Sequence, residues 1–325
     1  MRGHRDPSQL HPAVELTPSP PDASAAAPAV YDRPLDVSAP ARNQPAKCLL
    51  CGPVLTALVA VQDGFRIVRC GDCELVFVDT WHEIAPPEGL YGARYFRTEG
   101  VSPLGYQDYL AHEKLHWRNA RPILRLLEQA TEGRRLVDVG CAHGFFLAAA
   151  RQRGWTGSGV DISGDAVRYA REKLGLDVVH GALASAGFAA GAFDAVAMVG
   201  TIEHMPDPLA TLRSAARLLK PGGYLVITTL DIEGVFRQWE WKPPEHIFYF
   251  SFRSLSRVLD AAGFQVLSRK CYWAWYGVGD LIARLLRHWR LPGAGLVTRA
   301  VGRTGFPSLA LRIPTNEMLV LARKR

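Results

Sequence analysis

Three groups of residues in this 325-residue chain have types and spacings that can do chemistry. Cys48-x-x-Cys51 and Cys70-x-x-Cys73 form two tight pairs separated by 18 residues, with Gly52 and Gly71 after Cys51 and Cys70. Each pair sets two thiolates on one knuckle, and four thiolates complete the tetrahedron that zinc prefers. With every position filled by sulfur, such a metal folds the module and does no chemistry itself. The other reading of a C-x-x-C pair is a dithiol that cycles by oxidation. The second group is the run LVDVGCAHGFF, residues 136–146, in which Gly140 and Gly144 separate an apolar strand from a helix, followed about 20 residues on by Asp161. Glycines let the backbone turn sharply and approach a ligand, the helix start offers free amide donors, and an acid at the next strand end can accept both hydroxyls of a ribose. The third group is His204 in IEHMPDP and His246 in WKPPEHIFYFSFRSL. Histidine is the commonest general base, although each ring could equally do no more than hydrogen-bond backbone and shape a loop.

The elements that must position these groups follow from periodicity. Short β-prone runs at Val54–Val61, Phe65–Arg69 and Leu75–Val78 alternate with Cys and Gly turns, giving a small β-rich module over residues 47–82. Residues 1–46 are dominated by Pro, Ala, Ser and Asp and read as a disordered leader. Residues 83–108 read as a linker, and Tyr109–Ala130 has apolar positions at helical spacing. Strands at 135–140, 157–161, 177–180, 193–199, 223–229 and 265–271 alternate with helices at 145–153, 164–174, 208–219 and 253–262. That alternation predicts an α/β domain over 109–325, a doubly wound and mostly parallel sheet with an antiparallel last strand at Met318–Arg323. Ligands of such sheets bind beyond the carboxyl ends of the strands, where Gly140, Asp161 and the residues before His204 all fall. A nicotinamide dehydrogenase would use the same turn and acid, so this geometry alone leaves the reaction open.

Two further segments narrow it. FDAVAMVGTIEHMPDP, residues 193–208, and LLKPGGYLVITT, residues 218–229, resemble the later motifs of class I S-adenosylmethionine-dependent methyltransferases, and the resemblance runs from about Tyr109 to Lys324. It implies that Asp138 and Gly140 line the methionine end of the cofactor, that Asp161 holds the ribose, and that Val199 and Gly200 face the sulfonium and the acceptor. Cys141, Gly144 and Ile162 complete the implied cofactor-binding set. Ala142 stands where the family usually has glycine, and the acid often found after the third strand is missing from GALAS near Ala182. Glu203 beside His204 resembles the metal-binding pair of some members, but the additional upstream acid is replaced by Gly200 and its neighbours, so no catalytic metal is expected. His246, on the loop after the fifth strand, is the preferred base and His204 the second. His143 is expected to face solvent or cap a helix, and Cys141 and Cys271 to be buried. Trp239, Trp241, Phe248 and Tyr249 either wall an acceptor pocket or belong to the core.

The four-cysteine module ahead of the domain resembles sugar C-methyltransferases of deoxysugar pathways. Those carry a further large C-terminal domain for which 325 residues leave no room, which weighs against C-methylation. The endings PPEHIFYFS and LRIPTNEMLVLARKR resemble bacterial methyltransferases of polysaccharide and natural-product pathways. The expected activity is therefore methyl transfer to oxygen, less readily to carbon, of a small molecule or saccharide, with S-adenosylmethionine as cofactor and structural zinc.

Charge sharpens the partner reading. The chain nets +7, yet residues 264–325 hold 11 Lys/Arg against Asp280 and Glu317, a local +9. Within residues 272–315, read as a long basic insertion, Leu281, Ile282, Leu285, Leu286 and Trp289 recur at helical spacing against Arg284, Arg287, His288 and Arg290. Residues 277–291 suit a substrate lid, an ordinary helix packed on the core, or an interfacial helix serving a lipid-linked acceptor at the inner membrane surface. The N-terminus lacks a signal-peptide core and no run spans a bilayer, so the expected location is cytoplasmic. An RNA methyltransferase using the ribbon and basic region is the alternative enzyme, but the Asn/Asp-Pro-Pro-aromatic motif of amino-group nucleobase enzymes is absent at Val199–Ile202, and nucleic acid is not the expected partner. A non-catalytic nucleotide-binding module retaining the fold is the remaining alternative.

Overall fold

The computed structural model describes residues 44–83, 109–234, 241–279, 281–282 and 309–325. Most of the expected leader and linker, and Trp239, lie outside them. Strand β1 (Gln44–Cys48) begins inside the stretch read as leader and pairs antiparallel with β2 (Gly52–Gln62). β3 (Phe65–Cys70) follows through Asp63-Gly64, both at positive φ, the turn that a two-residue hairpin with right-handed strand twist requires. β4 (Val76–Val78) pairs with β3. The pairing of β2 with β3, with Thr56 opposite Cys70 and Gly71 N donating to the Leu55 carbonyl, brings the two cysteine knuckles together.

The α/β domain opens with α1 (Glu113–Ala130), preceded by a single 3-10 turn at Leu110–His112. Then β5 (Arg135–Val139), α2 (Phe145–Gln152), β6 (Thr156–Asp161), α3 (Gly164–Leu174) and β7 (Asp177–His180) form one wing of the sheet. β8 (Phe193–Val199), α4 (Pro208–Leu218), β9 (Leu219–Leu230), β10 (Phe248–Tyr249), α5 (Phe252–Ala261), β11 (Phe264–Gly277) and β12 (Ala310–Lys324) form the rest. The seven-stranded order is β11-β12-β9-β8-β5-β6-β7. β5 pairs in parallel with both β6 and β8, while β12 runs antiparallel between β9 and β11, which leaves β11 parallel to the others. Strand order therefore reverses between β5 and β8, and the crevice this leaves at the carboxyl ends is where the ligand of an open α/β sheet sits.

Local chemistry sets the helix boundaries. Ser163 caps α3 by accepting the Ala166 amide, Asp207 caps α4 by accepting that of Ala210 with Pro208 at the first turn, and Ser251 with Ser254 forms a reciprocal box at α5. α1 places Ile123, Leu124 and Leu127 against α2 and the sheet, and Ala148, Ala149 and Ala150 let α2 approach closely. Among the described residues no helix is long and apolar enough to cross a membrane.

One expectation changes. The insertion read as 272–315 is shorter, because Trp273–Gly277 and Ala310–Pro314 pair as a continuation of the β11–β12 hairpin past two irregular registers. Only 278–309 lie between the strands, and of the stretch 277–291 everything from 283 on lies outside the described residues. Of the two readings of Phe248 and Tyr249, the core one holds: they are buried and form β10, which pairs with β4 and makes a five-stranded sheet β1-β2-β3-β4-β10. Phe248 is fully buried, 5.4 Å from the Trp81 ring and 6.4 Å from that of Phe77. Arg253 of α5 pairs with Glu74, and Arg257 donates to the Asp72 carbonyl. One apolar core runs from Cys48, Cys70 and Phe77 through Phe248 to Leu255 and Leu259.

Truncating so large a side chain inside a continuous core costs about 3–5 kcal/mol. Phe248→Ala is expected to destabilise the α/β domain and the cysteine module together, in one urea unfolding transition, whereas separate transitions would show that the seam is not cooperative.

Candidate cofactor and catalytic site

At the reversal of strand order lies a cavity of about 220 Å³. Gly140, Ala142, Asp161, Ile162, Ala182, Val199, Gly200 and His204 are among its lining residues. Its shape depends on one carboxylate. Asp161, ending β6, accepts the Ala142 amide on one oxygen (2.7 Å) and the Ser163 amide on the other (2.8 Å). The acid that the sequence assigns to a ligand thus also fixes the two loops on either side of that ligand. Burial raises its carboxyl above the usual range, with the amide bonds opposing.

The turn after β5 shows why glycine is needed and what its absence costs. Gly140 has φ +74°, and a Cβ there would lie 2.2 Å from Thr201 Cγ2. Gly144 has φ +81° and would meet Leu176 Cδ1 at 2.5 Å, so its role is close helix packing and it does not line the cavity. Ala142 sits at φ +46°, a left-handed conformation that an L side chain enters at a cost, held by its bond to Asp161. The departure from the family's glycine is accommodated by strain at the ligand loop.

A smaller recess of about 80 Å³ shares Tyr109, Gly140 and Val199 with the main cavity and is also lined by Asp138, Cys141, His116 and Tyr272. Asp138 is buried, and burial followed by the nearby Asp161 pushes its carboxyl up to about 8. Tyr109 is stacked near His116 (4.1 Å) and His143 (5.3 Å). His143 is thus buried among Tyr109, Phe145 and Tyr169 and neither faces solvent nor caps α2, whose N-cap is Gly144. Burial drives both His116 and His143 down to about 4, so both rings are neutral at pH 7. Cys141 is buried as expected, but Cys271 is exposed because its position on β11 faces outward.

The two histidines proposed for catalysis are brought together from 42 residues apart, with ring centroids 4.7 Å apart and edge to face. His204 lines the cavity; His246 is buried beside it and is not among the lining residues. His204 Nδ1 donates to the Glu245 carbonyl at 2.7 Å, which leaves Nε2 as the ring's basic nitrogen. Burial lowers the His204 pKa, so the neutral form persists into mild acid. Ile247 N donates to the Glu203 carbonyl (2.9 Å), stitching the second histidine's loop to the 3-10 turn Ile202–His204 that carries the first.

Glu203 is buried and receives the Thr229 hydroxyl at 2.8 Å, and burial pushes its carboxyl up to about 8. Donor atoms of Glu203, His204 and His246 all lie within 4.8 Å of one another, the spacing of a metal triad. The sequence reading set a metal aside for want of an upstream acid; tertiary structure supplies a different third donor, His246. At neutral pH, however, Glu203 holds its proton and is engaged by Thr229.

The four cysteine sulfurs lie within 4.8 Å of one another, with Cys48 Sγ and Cys73 Sγ 3.4 Å apart. Three of the four are buried and Cys51 is exposed, and four sulfurs at this spacing suit a tetrahedral zinc. The hydrogen bond to Cys73 draws Cys48 down to about 5 and pushes Cys73 up, while burial pushes Cys51 up to about 11. Metal binding would displace the remaining protons.

Sequence reasoning missed Thr201, which fills the space above Gly140, and Tyr109, which borders both cavities. It also missed Glu245, buried next to His246. Only the last carried a signal, as part of the PPEHIFYF run.

Residues 111–269 match the family model of a methyltransferase domain. A ubiquinone biosynthesis O-methyltransferase of Thiobacillus denitrificans is 35% identical over 124 residues, covering 36% of this chain and 50% of that protein. One from Xanthomonas campestris is 37% identical over 108 residues, covering 31% and 45%. The chain spans about half the length of the curated relatives it matches. Among solved structures, the Haloferax volcanii methyltransferase complex with the Trm112 activator aligns at TM-score 0.49 and 22% identity, over 66% of this chain and 92% of that one.

A methyl group added to Gly140 must both enter a strained φ and displace Thr201. Gly140→Ala is expected to cost about 1–3 kcal/mol, whereas Gly200→Asn, at φ +60° with nothing within 4 Å of a built Cβ, should cost under about 1 kcal/mol. Urea unfolding of the two variants checks the contrast.

Proposed function

Residues 111–269 of this chain form a class I S-adenosylmethionine-dependent methyltransferase domain, and from that premise we propose that the protein transfers a methyl group to a hydroxyl oxygen of a small molecule or saccharide intermediate. The observation that carries the proposal is the convergence on one cavity of Asp161, the Gly140 turn and a histidine whose basic nitrogen is fixed by a backbone carbonyl. Bound S-adenosylmethionine supplies an activated methyl on a cationic sulfonium.

What the chain's residues do is bind, align and accept a proton. Asp161 keeps lone pairs for two ribose hydroxyls besides the two amides it already receives. Asp138, Gly140 and Cys141 border the recess suited to the methionine end, and Ile162, Ala182 and Leu183 the side suited to the adenine. Val199 and Gly200 line the same cavity as His204 and stand where the sulfonium and acceptor would meet. Holding two reactants in line contributes as much as about 7–11 kcal/mol in favourable cases. His204, with His246 against its ring, takes the acceptor hydroxyl's proton as the carbon–oxygen bond forms, a contribution of about 10²-fold to 10⁴-fold. The Glu245 carbonyl holds the His204 ring, and the Glu203 carbonyl holds the backbone next to His246.

Oxygen is favoured over carbon because the curated relatives named above are O-methyltransferases. The local +9 of residues 264–325 suits an acidic or lipid-linked acceptor over a cationic one. The zinc assigned to Cys48, Cys51, Cys70 and Cys73 is structural and takes no part in the transfer.

Two measurements test this. Asp161→Ala should weaken S-adenosylhomocysteine binding at least about tenfold in calorimetry, since it removes the ribose acceptor and frees the Ala142 loop; unchanged affinity would sink the cofactor assignment. For labelled methyl transfer to glycan, lipid-carrier and hydroxylated small-molecule fractions, the base must be unprotonated and its pKa is lowered. The acid limb of kcat/KM should therefore lie below the ordinary histidine value of 6.5 and disappear in the His204→Asn, His246→Asn double variant. A limb above pH 7 would exclude the buried pair.

A further inference from the structure

The four-cysteine module has an assigned metal and fold but no assigned task, and its contacts point to one. Strand β4 begins three residues after Cys73, and Cys70 N donates to the Leu75 carbonyl at the entrance to that strand. One edge of β4 pairs with β3. The other receives β10, with Phe248 opposite Phe77 and Tyr249 opposite Val76. The pairing extends one residue nearer the histidine, where Val78 N donates to the Ile247 carbonyl at 2.9 Å.

Residues 245–247 are held from both sides. From the cysteine module comes the β4 edge; from the catalytic sheet, Glu203 C=O accepts Ile247 N, and His204 Nδ1 donates to Glu245 C=O. A third tie is local: His246 N donates to Lys242 C=O, while the Tyr249 hydroxyl accepts Lys242 N. Both histidines depend on this short run, since His246 belongs to it and His204 takes its tautomer from it.

From this arrangement we propose that the four-cysteine module is the positioning element of the histidine pair: its strand β4, pinned by the Cys70–Cys73 knuckle, carries the 245–249 run as an added strand and thereby sets the place of His246 and the tautomer of His204. Val78 is the positioning residue at the seam. The proposal rests on the reading of the pair as the base. Edge pairing suits this task because strand addition fixes register by main-chain bonds and places alternate side chains on defined faces. The Trp81–Phe248 contact and the Trp81 Nε1 bond to the Lys47 carbonyl (2.6 Å) lock the seam to β1, which ends in Cys48. The metal-bearing knuckles therefore stand behind both ends of the strand that holds the loop.

The experiment uses the full chain with zinc confirmed by elemental analysis, then stripped with a chelator, and in parallel the zinc-loaded variant Val78→Pro. Proline removes the one amide that reaches Ile247 and leaves every cysteine intact. Three quantities are read: amide hydrogen exchange across 245–250, S-adenosylhomocysteine affinity by calorimetry, and kcat against KM for labelled methyl transfer to an acceptor-containing cell-extract fraction. Exchange at 247–249 should rise at least about tenfold in both proteins. Cofactor-product affinity should stay within about twofold, and kcat should fall about 10²-fold with KM little changed, the loss expected of a displaced base. Unchanged protection of 245–250 in zinc-free protein, or loss of protection across the whole parallel sheet in both proteins, would overturn the proposal. Failure of the underlying reading looks different: no S-adenosylhomocysteine binding, or full turnover by His246→Ala, leaves the exchange result standing and removes only its catalytic meaning.

Discussion

Two amide hydrogen bonds to the Asp161 carboxylate are the constraint on which the ligand cleft depends. One comes from Ala142, in the turn after β5, and the other from Ser163, at the start of α3. A single half-buried acid thus ties adjacent strand-to-helix loops at the point where strand order reverses, in the lining of the cavity it helps to form. Ala142 tolerates its left-handed φ because that bond compensates it, and Gly140 is held against Thr201 because the same loop cannot relax outward. Removing the acid's partners would leave a buried charge, so the loops and the acid stabilise one another.

The second centre is built by a different kind of contact. His204 and His246 come from separate loops, and neither is placed by side-chain packing alone. Backbone carbonyls and amides, those of Glu203, Glu245 and Ile247, fix their separation and the protonated nitrogen of His204. Burial then does the electrostatic work: it lowers the His204 pKa and pushes the Glu203 carboxyl up to about 8.

The small module and the large sheet share one core and one seam. Four strands of the cysteine module and β10, which begins 170 residues after β4 ends, make one sheet in which β10 covers the edge of β4. Covering an edge in this way also removes a site for unwanted strand pairing. The module is consequently not a bead on a string: Arg253 and Arg257 of α5 reach back to Glu74 and Asp72, and Phe77 and Phe248 are fully buried together.

The amino-acid sequence by itself determined the parallel sheet, the antiparallel last strand, the zinc knuckles and the glycine–acid cleft, because each is written in local patterns: alternating apolar runs, paired cysteines, a positive-φ turn and an acid at a strand end. The Asp63-Gly64 hairpin and the caps Ser163, Asp207 and Ser251 are equally local. What only the tertiary structure decided are the contacts between segments far apart in the chain. The burial of His143 under Tyr109, the continuation of β11 and β12 to Gly277 and Ala310, Thr201 over Gly140, and the addition of Phe248–Tyr249 to β4 have no local signature. A two-residue strand is too short to show a period, and an aromatic run reads alike whether it packs in a core or lines a pocket; the partner across the seam settles which, and that partner is chosen by long-range packing.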